Sequence, residues 1–104
     1  MKYYDIDLSS INTNIKNVYL VLKILDIQND GVNEFKSIIV NEKILNMIDS
    51  INFIYIKDGL EPTDVIKKVG YLLNLEVYID PLNTDNVVIF NTELKVTVIL
   101  NVKI

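Results

Sequence analysis

The stretch Glu61-Pro62-Thr63-Asp64-Val65-Ile66-Lys67-Lys68-Val69-Gly70-Tyr71-Leu72-Leu73-Asn74-Leu75-Glu76-Val77-Tyr78-Ile79-Asp80-Pro81 decides the fold, because it admits two readings. As a helix it begins at Glu61-Pro62-Thr63-Asp64, with proline tolerated in the first turn and carboxylates near the positive end of the dipole. Val65, Ile66, Val69, Leu72 and Leu73 then supply an apolar stripe. As a hairpin it runs out from Val65 to Leu72, turns near Asn74 and returns from Leu75 to Ile79. Gly70 costs a helix about 1 kcal/mol relative to alanine, whereas a strand uses glycine at a bulge or a close approach. Asp80-Pro81 closes the return strand, since proline has no N–H to give a ladder. Periodicity leaves both readings open.

The flanking segments are plainer. Upstream, Ser9 and Ser10 offer cap oxygens to a helix over residues 10–27, and Ile11, Ile15, Val18, Leu22 and Leu25 form its expected buried stripe. Tyr19, Val21 and Ile24 widen that stripe, and Asn29-Asp30-Gly31 ends the helix. Phe35 to Val40 reads as a strand whose Ile38-Ile39-Val40 run is buried on both faces. Asn41 caps a short helix through Ile48, and Ile51 to Ile56 is a β-type run ended by the turn Lys57-Asp58-Gly59. Downstream, Asn83-Thr84-Asp85-Asn86 is a polar turn, Val87 to Phe90 an apolar strand, and Asn91-Thr92-Glu93 a second turn. The last segment alternates. Val96, Val98, Leu100, Val102 and Ile104 face one way, while Lys95, Thr97, Asn101 and Lys103 face the other, with Ile99 the exception. The expected fold is one α+β domain over residues 1–104, with one long amphipathic helix and a short helix packed on a mainly antiparallel sheet.

Composition removes many chemistries. The 104 residues carry no Cys and no His, which excludes disulfides, thiolate nucleophiles, the usual zinc ligand sets and imidazole catalysis. Serine hydroxyls have no histidine to activate them. All ten basic residues are lysines, net charge is −4, and no basic stripe suits a phosphate backbone. No apolar stretch approaches the ~20 residues that span a bilayer, and the acidic start lacks the apolar core of a signal peptide. No enzyme activity, cofactor, metal, direct nucleic-acid contact or membrane contact is expected.

Three segments carry a family resemblance. Phe35-Lys36-Ser37-Ile38-Ile39-Val40-Asn41-Glu42-Lys43-Ile44-Leu45-Asn46-Met47-Ile48 resembles the apolar strand and Asn-started short helix of tailed-bacteriophage major capsid proteins. Val69-Gly70-Tyr71-Leu72-Leu73-Asn74-Leu75-Glu76-Val77-Tyr78-Ile79-Asp80-Pro81 is similar to that family's Val-Gly, short turn and Val-Tyr-Val-Asp-Pro pattern. Asp85-Asn86-Val87-Val88-Ile89-Phe90-Asn91 is similar to the strand that follows. The resemblance covers about residues 9–91 and implies the carboxy-terminal half of the capsid fold, its axial and peripheral region. It turns the open choice at 65–79 towards the hairpin. Two features depart from the family: the extended arm and long loop are missing, and Asn74-Leu75 stands where the family often has glycine. The resemblance implies a structural subunit of a virion, made in the host cytoplasm, whose partners are other virion proteins or itself. The alternative is a small cytoplasmic protein-binding or regulatory module of a mobile element.

Candidate sites are correspondingly modest. The carboxylate groups Asp5/Asp7, Asp26/Asp30 and Asp80/Asp85 read as solvated surface charge, with Asp80 accepting backbone N–H groups in its turn. Lys67-Lys68 suits contact with phosphate or an acidic partner, or the protection of an edge strand, equally. Tyr3, Tyr4 and Tyr55 suit an interface or a core edge. The last strand is the candidate interface, through Lys95, Thr97, Ile99, Asn101 and Lys103: if it lies at a sheet edge, its backbone offers a template to a neighbour. Ile99 further suggests that the strand's second face is partly covered.

Overall fold

The computed structural model describes residues 2–29, 35–51, 53–55, 66–92 and 97–104. Along them run β1 (Lys2–Asp7), α1 (Lys16–Gln28), β2 (Phe35–Val40), α2 (Glu42–Ile48), β3 (Phe53–Tyr55), β4 (Lys67–Leu72), β5 (Leu75–Ile79), β6 (Val87–Thr92) and β7 (Val98–Lys103). The stretch with two readings is a hairpin: β4 and β5 pair antiparallel from Lys67↔Ile79 to Leu72↔Leu75. Val65, where the outgoing strand was expected to start, lies outside the described residues. Gly70 serves the strand in both ways open to it. The register shifts between Lys68 and Gly70, and a Cβ at Gly70 would stand 2.2 Å from the Ile54 carbonyl oxygen and 2.7 Å from the Phe53 ring. Any side chain there would push β3 away.

The strands form one sheet in the order β1-β7-β6-β2-β5-β4-β3. This corrects the expected antiparallel character, because β1 pairs parallel with β7 and β2 parallel with β5. Alternation fixes which side chains share a face but not which strand lies alongside, so these pairings were not readable from the pattern. Strand limits also differ from expectation. β6 continues through Thr92 where a turn was expected, and the described part of β3 is Phe53–Tyr55.

Both helices lie on one face of the sheet. Leu20, Val21, Ile24 and Ile27 of α1 and Ile44, Leu45 and Ile48 of α2 join one buried cluster. Its sheet side comprises Ile38, Val40, Leu72, Leu75, Val77, Val88, Phe90, Val98, Leu100 and Val102. The Phe35 and Phe90 rings meet within it at 5.3 Å. The Asn41 cap is as expected: its Oδ1 accepts from the Ile44 N–H at 2.8 Å. Asn41 is itself buried, and its Nδ2 donates to the Asp85 carbonyl and to Asn86 Oδ1, both at 3.0 Å. The cap therefore also ties α2 to the turn before β6.

The first helix needs two corrections. It spans 13 residues from Lys16, not 10–27, and Ser9 and Ser10 do not cap it. Ser9 instead donates to Asp7 Oδ1, and the Asn14 N–H donates to Asn12 Oδ1 at 3.0 Å. Short polar side chains thus hold the backbone in turns that compete with a helix. The buried stripe is also rotated from the expected one. Val18 and Leu22, expected inward, are 45% and 58% exposed, and Ile15 is exposed too. Leu20, Ile24 and Ile27 repeat at four and three just as well, and a helix apolar all round does not announce which face meets the sheet.

Candidate interaction surface on the open face of the sheet

Among the described residues, no helix covers the second face of the sheet, and its side chains fall into transverse rows set by strand register. The central row crosses six strands: Tyr3 stands opposite Ile99, Ile99 opposite Ile89, Ile89 opposite Ile39, Ile39 opposite Tyr78, and Tyr78 opposite Lys68. At about 4.8 Å between strands the row is about 24 Å long. One neighbouring row is Asn91, Ser37, Glu76, Tyr71 and Ile54; the other is Asp5, Asn101 and Val87. An aliphatic centre with largely polar margins results. That is the layout of a protein contact surface, with an apolar middle and a polar rim. Ile39, Ile89 and Ile99 are each partly exposed.

Charges on this face are arranged at its two ends. Lys68 Nζ donates to Glu76 Oε1 at 2.8 Å and lies 4.7 Å from the centre of the Tyr71 ring. The Glu76 hydrogen bond, then that of Tyr71, holds the Lys68 ammonium above its ordinary value of 10.5. The same Lys68 contact holds the Glu76 carboxyl below 4.5, and Lys36 adds to it. At the other end, Asp5 accepts from Asn101 Nδ2 at 3.1 Å, and Asp7 lies 4.0 Å from Lys103 Nζ. Hydrogen bonds from Ser9, side chain first, hold Asp7 below the usual carboxylate range.

The candidate interface on the last strand falls on this face, with one correction. β7 lies between β1 and β6, so its backbone is paired on both sides and cannot serve as an edge template. What it presents is side chains: Ile99 in the central row, Thr97 and Asn101 beside it, and Lys103 further along. Lys95 lies outside the described residues. The sequence reading did not single out Ile89, and it took Ile39 as part of a run buried on both faces, whereas Ile39 is partly exposed. Each is apolar where alternation calls for a solvent-facing residue, and only the register shows that the three line up.

The remaining candidates stay apart. Tyr3 is on the open face, whereas Tyr4 turns to the helix side, 5.5 Å beneath the Lys23 ammonium. The Tyr55 side chain and Asp30 lie outside the described residues. Lys68 is engaged in its ion pair, and Asp80 accepts from the Leu82 N–H at 3.1 Å, the turn role expected of it. Among the described residues no group of carboxylates is arranged to hold a metal ion, and no helix is long and apolar enough to cross a membrane. No protein-family model, curated protein or solved structure matches the chain.

Proposed function

We propose that the chain is a non-enzymatic structural protein acting through protein–protein contacts on the open sheet face, as a capsid or capsid-associated subunit of a tailed phage. The aliphatic row Ile99–Ile89–Ile39, extended by Tyr3 and Tyr78 and margined by polar rows, carries the contact role. Three isoleucines side by side on a face that no described helix covers gain from being covered, at about 25 cal/mol per Å² of apolar surface removed from water. The phage setting rests on the segment resemblance at 35–48, 69–81 and 85–91, and the β4–β5 hairpin is the form that resemblance implies. In a shell, many repeated contacts act together, so each can be weak.

Mass spectrometry of purified particles from a host carrying the gene tests this reading. The chain is expected in the particle, and Ile89→Lys, which places a charge mid-row without touching the core, is expected to exclude it. Absence from particles, with specific capture of one host protein instead, favours the alternative module of a mobile element and overturns the virion role.

A further inference from the structure

Beyond the open face, we propose that the outer edge of β1 takes an extended segment of a partner protein as an added strand. That segment carries cationic side chains opposite Asp5 and Asp7 and aliphatic ones opposite Tyr4 and Ile6. β1 ends the sheet order, and among the described residues no strand pairs with its outer side. The Lys2 N–H donates to the Thr97 carbonyl at 3.1 Å, and the Leu8 N–H donates to the Lys103 carbonyl at 2.7 Å. Alternate residues of a paired strand turn their backbone groups to the same neighbour. Tyr4 and Ile6 therefore also face β7, while Tyr3, Asp5 and Asp7 aim their N–H and C=O groups outward.

The edge is fit to receive a strand. β1 pairs with β7 over six consecutive residues without a register shift, and no proline interrupts it. Of the devices that protect a sheet edge, charge alone remains, and that charge is selective. Asp5 and Asp7 both stand exposed on the open-face side. Lys2 is turned to the other side, 5.0 Å from the centre of the Tyr4 ring. The two carboxylates repel an acidic strand, a second copy of β1 included, and admit a cationic one.

β7 is the pattern for such a strand, because it already fills the inner edge. Asn101 donates to Asp5 at 3.1 Å, and Lys103 stands 4.0 Å from Asp7. On the helix side the buried Leu100 and Val102 lie beside Tyr4 and Ile6. The same four β1 side chains line the outer edge, where a strand of like alternation completes them. Beside Asp5 and Asp7 opens a groove of about 850 Å³, which Asp85 also walls and in which Lys103 is the one cation among the described residues. A lysine or arginine on the added strand meets an excess of carboxylate there, and the net charge of −4 favours its approach.

The test uses the isotope-labelled full chain and two acetylated, amidated peptides, one alternating Lys with Val and the other Glu with Val, at roughly 1 mM. The Lys-Val peptide is expected to shift the amide resonances of Tyr3, Asp5 and Asp7 and to slow their hydrogen exchange, and the Glu-Val peptide to do neither. Asp5→Pro removes an outward N–H but no bond to β7, and is expected to abolish binding with an unchanged far-UV circular dichroism spectrum. The double variant Asp5→Asn with Asp7→Asn serves where Asp5→Pro does not fold. It is expected to weaken binding roughly fivefold, the effect of losing two exposed ion pairs. Ile89→Lys, on the open face, is expected to bind like the wild type. No shift in β1, equal binding of both peptides, or a folded Asp5→Pro that binds like the wild type each overturns the proposal. So does binding that is lost in Ile89→Lys but kept in Asp5→Pro, which moves the peptide to the open face and leaves the contact reading standing. A wild type that sediments as a dimer and becomes monomeric in Asp5→Pro gives the edge to a second copy and overturns the cationic partner.

Discussion

The open face of the sheet and the outward face of α1 both carry aliphatic side chains that no described element covers, and they carry them in different ways. On the sheet, each isoleucine of the central row has another large side chain on either flank, supplied by the next strand, and is only partly exposed. Cross-strand neighbours a few ångströms apart shield one another and leave a flat apolar strip with a polar margin. On α1, Val18, Tyr19 and Leu22 stand on a convex surface, 45%, 47% and 58% exposed. Val18 and Leu22 wall a groove of about 150 Å³ together with Val21, Leu25, Ile51, Leu72 and Leu73, and Tyr19 stands outside it. Leu73 stands there at φ 53°, a left-handed conformation costly for a branched side chain. The contrast teaches that the number of exposed apolar residues is a poor guide to a contact surface. Continuity and a polar rim matter more, and register provides both on the sheet.

The largest expected effect separates the two sides of α1. Ile24→Ala removes a fully buried side chain beneath the helix and is expected to cost about 2–5 kcal/mol. Leu22→Ala, on the outward side, is expected to change stability by less than about 0.5 kcal/mol. Urea denaturation of both variants measures the difference, and equal costs would restore the face first expected from the sequence.

That face was misread for a physical reason. The segment Lys16–Gln28 is apolar on most of its surface, so two stripes compete and only the packed sheet chooses between them. The cap at Asn41, the strand at Phe35–Val40 and the alternation of Val98–Lys103 were legible because each depends on local chemistry. The hairpin at β4–β5 was a tie on periodicity, with Gly70 the residue that mattered. The parallel neighbours of β1 and β2 were not legible, since partner choice is a property of the whole chain. The interaction surface was half legible. Ile99 stood out as a break in alternation, while the row it belongs to exists only in the register.

A smaller effect reaches the sheet through its scaffold. Gly70→Ala drives a methyl into the Ile54 carbonyl and the Phe53 ring, and overpacking of this kind costs about 1–3 kcal/mol. Amide hydrogen exchange is expected to show the loss concentrated in β3 and β4, with α1 unaffected. Loss spread evenly through both would mean that the helix layer and this end of the sheet respond as one unit.

The smallest effect concerns the charged end of the open face. Because the folded Glu76 carboxyl titrates below its ordinary 4.5, its contribution is present above that value and is lost as pH falls through the folded value. The folded Lys68 ammonium titrates above 10.5, so its contribution is present below that value and fades as pH rises beyond it. Both groups are solvent-accessible, which keeps the effect small. Glu76→Gln is expected to flatten the acid side of the stability profile, measured as the urea midpoint at neutral pH and near pH 3. An unchanged acid limb would place its origin elsewhere, with Asp7 the next group to test.

Isoleucine methyl groups report on both regions in one experiment. In methyl-labelled chain, the resonances of Ile39, Ile89 and Ile99 are expected to shift together as protein concentration rises, or as the partner is added, while Ile15, the residue that precedes α1, stays in place. Shifts at Ile15 with the three sheet isoleucines unmoved would contradict the central claim and put the contact surface on the helix.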